Sequence, residues 1–261
     1  MGNPLKNPPV YFTVAQVRFN TLLKLADFLP SIQEGLRKAG FPAFAKHQTV
    51  AIQFNFQQGG QQVPQPVPHE RYVFANVDQT HSFVLSTDAL TFQSTNYGTF
   101  QFFSASLLKG LNIVNDVVAL DFTERVGLRY LDHVSAKPGD ALTDYLAPEV
   151  QGLSARLGGQ PLHSYTETLS AFGDVKLRAR VVIQEGGLAF PPDLLPEGMV
   201  VQPRFLAAQG KHAILDTDGF VEGRHVFSEE RIGQSLQDIH EVISSAFRVT
   251  VTEQALKAWD Q

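Results

Sequence analysis

Cationic and apolar residues alternate along one short segment near the middle of the second half of the chain. Lys176, Arg178 and Arg180 are each followed by an apolar residue. Successive side chains of a β-strand point to opposite faces, so these three cations share one face of a predicted strand. Ammonium and guanidinium groups in such a row suit carboxylate and phosphate groups. The pattern predicts a surface that binds an anionic ligand.

Three other predicted strands extend this surface. Residues 122–130 and 11–19 alternate in the same way and place Arg residues on one face, and residues 49–57 add two amides. The predicted ligand-binding residues are Arg18, Arg125, Arg129, Lys176, Arg178, Arg180, Gln53 and Asn55. Like charges along one strand repel, so an anion or solvent must compensate them. The alternative interpretation is a solvated sheet face whose charges discourage edge pairing.

The sequence lacks the common motifs of catalytic and nucleotide-binding sites. The sequence contains no phosphate-binding glycine loop, no dinucleotide fingerprint, no His-Glu-x-x-His and no Gly-x-Ser-x-Gly. We therefore predict no catalytic residue, no metal ligand and no cofactor. The rival hypothesis is a magnesium-dependent phosphotransfer or phosphohydrolase enzyme that uses Glu124, Asp216 or Asp218. Asp218 followed by Gly219 is also typical of a tight hairpin turn.

Composition limits the class of protein. The 261 residues carry a net charge of −5, contain no cysteine and are 43% hydrophobic. A negative chain binds phosphate backbones and anionic membranes weakly, unless its cations are clustered. No stretch approaches the ~18 apolar residues of a membrane span. We expect a cytoplasmic globular protein that does not bind membranes.

Three pairs of segments recur in the same order in the two halves of the chain. Residues 25–36 match 142–153 as amphipathic helices, 11–19 match 122–130 as strands, and 84–90 match 214–220 as hairpins turning at Asp88-Ala89 and Asp218-Gly219. The matches predict two tandem copies of one unit, at residues 1–116 and 117–261. We expect the two units to share one continuous sheet.

The predicted fold class is α+β. In each unit the order is strand, helix, several antiparallel strands and helix, with the helices on one face of a twisted antiparallel sheet. Residues 200–207 are predicted as one of the strands, and residues 229–247 as the last helix, which Ser228 caps. The order resembles the saddle of TATA-binding-protein-like folds.

Three further motifs carry a resemblance that extends over the whole chain. They are Asn7-Pro8-Pro9-Val10, the segment Arg125 to Tyr130, and His240 to Phe247 followed by Val251-Thr252-Glu253. On these motifs the chain resembles a family of sporadically distributed, functionally uncharacterised prokaryotic proteins of about this length. The resemblance implies no catalytic residues, and the sporadic occurrence implies a link to mobile elements or to defence loci.

The leading hypothesis is a binding or accessory protein without enzymatic activity, whose basic sheet face holds an anionic partner. That partner is a protein, a nucleotide or a nucleic acid, and a co-encoded protein or a second copy of the chain in a homodimer are candidates. A third hypothesis is a structural subunit of a larger complex, with Phe100, Phe102 and Phe103 at an interface. Core positions are the alternative interpretation of these phenylalanines.

Overall fold

Nine strands form the centre of the molecule in a computed structural model that describes residues 5–54, 64–157, 162–194, 196 and 198–260. The strands are β1 Val10–Phe19, β2 Ala43–Phe54, β3 Pro64–Ala75, β4 His81–Ser86, β5 Ala89–Ser94, β6 Phe122–Val134, β7 Ser164–Phe172, β8 Val175–Glu185 and β9 Lys211–Val226. They form one antiparallel sheet in the order β2-β3-β4-β5-β1-β6-β9-β8-β7. The α+β class and the antiparallel sheet are therefore confirmed.

Helices connect and flank the strands. They are α1 Leu25–Lys38, α2 Phe100–Val118, α3 Ser154–Leu157, α4 Pro203–Leu206, α5 Glu229–Thr250 and α6 Glu253–Trp259. Two 3-10 turns lie at Leu142–Asp144 and Pro148–Val150. Within the described ranges, no helix combines the length and the apolar character that crossing a membrane requires.

The pairing of β1 with β6 joins the two predicted units. Thr13 lies opposite Tyr130, and Ala15 lies opposite Leu128. The single sheet thus contains strands from both ranges, while the predicted boundary after residue 116 falls inside α2. The division into two units stays a prediction.

Alternation along the strands builds the largest apolar cluster. Ile32 of α1, Leu107 of α2 and Ile239 of α5 are buried in it together with Val17 and Leu128 from the two central strands. Burial of large apolar side chains stabilises the fold by about 1.5 to 3 kcal/mol each. This cluster fixes α5 against β6, β8 and β9, which carry most of the predicted site.

The predicted last helix is confirmed and is slightly longer than expected. α5 begins after Ser228, whose hydroxyl accepts a hydrogen bond from the backbone N–H of Arg231 at 3.3 Å. Glu229 and Glu230 in the first turn complement the helix dipole. The helix ends at Thr250, three residues beyond the predicted end.

The amphipathic helix predicted for residues 142–153 is wrong. The residue before a proline is driven out of the α region, and Ala147 before Pro148 has an extended ψ of 144°. Gly152 has a φ of +71°, which also ends helical geometry. The Ala147 backbone N–H instead donates to the carbonyl of Thr250 at 2.9 Å. Local backbone chemistry thus outweighed the apolar spacing.

The hairpin predicted at Asp218-Gly219 is also wrong, because β9 runs without interruption from Lys211 to Val226. A Cβ atom on Gly219 would lie 2.6 Å from Ile239 of α5, so the glycine permits close packing of the helix on the strand. Residues 200–207, predicted as a strand, contain α4, which begins at Pro203.

Candidate functional site

Neighbouring strands bring most of the predicted cations onto one surface. β6, β9 and β8 are adjacent in the sheet, and in their register Arg129 and Arg178 flank Asp218. Two residues further along β8, on the same face, Arg180 lies opposite Asp216. The cations of the predicted site therefore alternate with carboxylates from β9. The sheet supplies much of the compensating charge itself.

A buried ion network occupies one end of this surface. Arg129 donates from Nε and Nη2 to the two carboxylate oxygens of Asp216 at 2.6 and 2.8 Å, and Arg180 donates to the same carboxylate at 3.0 Å. The Asp216 side chain is 3% exposed and that of Arg129 is 9% exposed. Arg129 also pairs with Asp193 at 2.7 Å, and Arg180 pairs with Glu167 at 2.6 Å.

The hydrogen bonds in this buried ion network outweigh the cost of burial. Burial lowers the pKa of Arg129, but its hydrogen bonds to Asp216 and Asp193 raise the pKa by more than burial lowers it. The pKa therefore lies above its ordinary value. The bond from Arg129 in turn lowers the pKa of Asp193. The guanidinium donors of Arg129 are thus directed into the protein rather than toward a partner.

The connection between β8 and β9 covers this end of the sheet. The Phe190 ring packs edge-on against Tyr11 and Phe12, with ring centroids 5.2 and 5.6 Å apart. The Tyr11 hydroxyl donates to the carbonyl of Ala189 at 2.7 Å. Asp193 belongs to the same connection, which therefore closes over Arg129.

The other end of the surface forms a cationic platform around the ring of Phe220. The Cζ atom of Arg125 lies 4.7 Å from the ring centroid, and the Nζ atom of Lys176 lies 5.9 Å from it. Gly127 makes room for this arrangement, because a Cβ atom there would lie 2.8 Å from the Arg125 guanidinium. We define the cationic platform as Arg18, Arg125, Lys176 and Arg178.

The platform cations have weaker partners than those of the buried ion network. Lys176 pairs with Glu222 at 2.9 Å, but both side chains are about half exposed. Arg18 pairs with Asp88 at 3.4 Å, again with both side chains exposed. Such exposed pairs contribute about 0 to 1 kcal/mol. They can exchange for a pair with a bound ligand at small cost.

Arg125 and Arg178 are the least compensated cations of the platform. The nearest carboxylate oxygen to Arg125 belongs to Asp218, at 3.9 Å, which is beyond hydrogen-bonding distance. The buried Nε of Arg178 has no hydrogen-bond partner among the described residues. Burial lowers the pKa of Arg125, Asp218 and Glu222 partly offset this by attraction, and Arg18 and Arg178 lower the pKa because they repel its charge. These guanidinium groups are thus close enough to repel one another.

Charge separates along the surface as a result. The four platform cations face Asp88, Asp218 and Glu222, so four positive and three negative charges leave a net +1. In the buried ion network, two arginines face three carboxylates, for a net −1. An anion is therefore attracted to the platform end.

Of the two predicted amide residues, the structure describes only Gln53, which lies far from this cluster. Gln53 lies on β2, at the edge of the sheet opposite to β7, with six strands between it and β8. At about 4.8 Å per strand, that separation is roughly 34 Å. Asn55 lies outside the described residues. The predicted grouping of Gln53 with the cations of β8 is therefore not seen, and that of Asn55 stays a prediction.

The carboxylates of the rival hypothesis have protein partners. Asp216 accepts hydrogen bonds from two arginines, and Glu124 accepts from Arg224 at 2.6 Å. Burial raises the pKa of Asp218, the opposite of what a cation ligand needs. In the part of the chain that the structure describes, no group of three or more His, Asp or Glu side chains is arranged to hold a metal ion.

The three phenylalanines of the complex-subunit hypothesis differ in their exposure to solvent. Phe100 and Phe103 are 7% and 1% exposed and belong to the core, whereas Phe102 is 55% exposed. Only Phe102 is therefore available to an interface.

One buried acidic residue, Asp132, was not predicted from the sequence as a candidate site residue. Val126, Leu128 and Tyr130 of β6 point into the core, and the same alternation sends Asp132 there as well. An acidic residue at an apolar position of a strand is a signal that the sequence contained.

No family model matches the chain, and no curated protein matches it. The resemblance to sporadically distributed prokaryotic proteins stays a prediction.

Proposed function

We propose that this chain is a binding or accessory protein that holds an anionic group of a partner on the cationic platform. The observation that supports the proposal is the pair Arg125 and Arg178. Their guanidinium groups repel one another, and neither has a carboxylate within hydrogen-bonding distance among the described residues. An anion placed between them would relieve this repulsion and satisfy free donors.

The chemistry of the platform suits phosphate or carboxylate groups. Guanidinium donors bind both in a bidentate way, and Lys176 adds a mobile ammonium at the exposed rim. The whole chain carries a net charge of −5, so attraction of an anion is confined to this patch. A protein, a nucleotide or a nucleic acid that presents a few such groups is the proposed partner. A long polyanion held by charge alone is not.

The architecture that we propose behind this site is a tandem repeat with its helices on one face. In the observed order, β5, β4, β3 and β2 lie outward from β1, and β9, β8 and β7 lie outward from β6, so the first half has one strand more. The matching outward order supports the repeat, although the helix match at residues 142–153 and the hairpin match at residues 214–220 no longer do. Cytoplasmic location, homodimerisation and a link to mobile-element or defence loci belong to the same proposal.

Binding of short polyanions tests the proposed function. The probes are fluorescently labelled tripolyphosphate, a ten-residue oligoglutamate and a ten-nucleotide single-stranded DNA, each measured by fluorescence anisotropy in 20 mM salt. We expect at least one probe to bind and Arg178→Glu to weaken it at least tenfold. Lys211→Glu is the matched control, because Lys211 is exposed and lies nine residues from Phe220 on β9, about 30 Å away.

Two results would refute the proposal. One is that none of the three probes binds the parent protein. The other is that Arg178→Glu and Lys211→Glu weaken binding equally, because the charge of the whole protein would then be responsible.

A further inference from the structure

A cavity of about 380 Å³ lies between the sheet and α5, on the side away from the cationic platform. Tyr130 and Asp132 of β6 line it, together with Tyr97, His240 and the exposed Arg248. Apolar side chains from α5 and from the start of β1 complete the wall. Its volume and its mixture of apolar and polar groups are typical of a site for a small molecule.

Asp132 is the unusual group in this cavity. Its residue is 6% exposed, and its carboxylate makes no hydrogen bond or ion pair with any residue that the structure describes. Burial alone raises its pKa to about 7, with no contribution from a nearby cation. A desolvated carboxylate without a partner is costly. The exposed Arg248 lies in the wall of the same cavity but does not contribute to the pKa of Asp132, so no cation compensates this carboxylate.

The neighbouring polar groups do not supply that charge. The Tyr97 and Tyr130 hydroxyls are 2.9 Å apart, and the Tyr130 hydroxyl lies 3.3 Å from Nδ1 of His240. The His240 ring stacks on Phe100 with centroids 4.0 Å apart. Burial lowers the pKa of His240, so the ring is neutral at pH 7. The phenols instead offer hydrogen-bond acceptors and electron-rich ring faces.

We propose that this cavity binds a small molecule with an aliphatic or aromatic body and a primary or secondary ammonium group, which pairs with Asp132. The ammonium supplies the missing counter-charge, and the rings of Tyr97 and Tyr130 stabilise it through cation–π contact. The hydrocarbon body packs against Ile243 and Phe247. This site is independent of the cationic platform, which binds the opposite charge.

Three probes that share one phenyl ring and differ in one functional group test the inference. They are phenethylamine, 2-phenylethanol and phenylacetate, titrated into the full chain by calorimetry at pH 8. We expect phenethylamine to bind, Asp132→Asn to weaken it at least tenfold, and 2-phenylethanol to bind more weakly with no change in the variant. Tyr97→Phe is the second variant, because it removes only a hydroxyl and retains the ring face.

The pH dependence gives a second readout. The titratable and charged groups around Asp132 are Tyr11 on β1, Tyr97, Tyr130 on β6, and His240 and Arg248 on α5. Because the carboxylate must be ionised, the affinity for phenethylamine should rise about tenfold from pH 6 to pH 8. The inference is overturned if phenylacetate binds best, if none of the probes binds at millimolar concentration, or if Asp132→Asn leaves phenethylamine binding unchanged.

Discussion

Replacement of Arg129 by Met should destabilise the protein by about 3 to 5 kcal/mol. The substitution removes two charge-assisted hydrogen bonds to Asp216, each contributing about 1.5 to 3 kcal/mol, and leaves that buried carboxylate with Arg180 as its remaining partner. Met fills a similar length, so the cost is mainly electrostatic. At about 2 to 4 °C per kcal/mol for a chain of this size, the midpoint of thermal unfolding falls by roughly 6 to 20 °C.

Urea unfolding followed by circular dichroism measures this cost. Arg18→Met is the matched control, because Arg18 forms an exposed pair with Asp88 and should change stability by less than about 1 kcal/mol. A cycle with Asp216→Asn should give a coupling free energy above about 2 kcal/mol. The reasoning fails if Arg129→Met and Arg18→Met have equal, small effects, since Arg129 would then be as available to a partner as Arg18.

Three further predictions concern buried groups. Because burial raises the pKa of Asp132 to about 7, the folded protein retains a proton that the unfolded chain releases near pH 4. The free energy of unfolding should therefore fall by about 4 kcal/mol from pH 4 to pH 7. Urea titrations of the Asp132→Asn variant should lack this fall. Burial, aided by a neighbouring histidine, lowers the pKa of His133 to about 4. The neutral ring therefore contributes about 3 kcal/mol to the free energy of unfolding, which is lost as the pH falls from 6.5 to 4. The His133→Gln variant should not show this loss. Gly110→Ala should lower the midpoint of thermal unfolding, since the new Cβ would lie 2.2 Å from the ring of Phe83, whereas Gly233→Ala, with no atom nearer than 3.6 Å, should raise it through helix propensity.

Local pattern was sufficient to predict several elements. Alternation identified β1, β6 and β8, and apolar spacing with a serine cap identified α5. It failed where tertiary packing decided the outcome. Asp218-Gly219 has the sequence of a turn, but Gly219 is there because α5 packs closely on β9. A single sequence gives no sign of that contact.

For the candidate site, too, local features were predicted from the sequence and tertiary contacts were not. Alternation correctly placed Lys176, Arg178 and Arg180 on one face, because the period of a strand is local. The pairing of β8 with β9, which sets Asp216 opposite Arg180, joins residues 36 positions apart. Strand order could not be derived from the sequence, so neither the neutralised end of the surface nor the exposed platform was foreseen.

Side-chain NMR of the arginine Nε–Hε groups during titration with pyrophosphate tests the central claim most directly. The signals of Arg125 and Arg178 should move the most, because no carboxylate of the described residues holds either guanidinium group at hydrogen-bonding distance. Those of Arg129 and Arg180 should stay in place, since carboxylates already hold them. The account is contradicted if Arg129 and Arg180 respond first, or if pyrophosphate moves all the arginine signals to the same small extent.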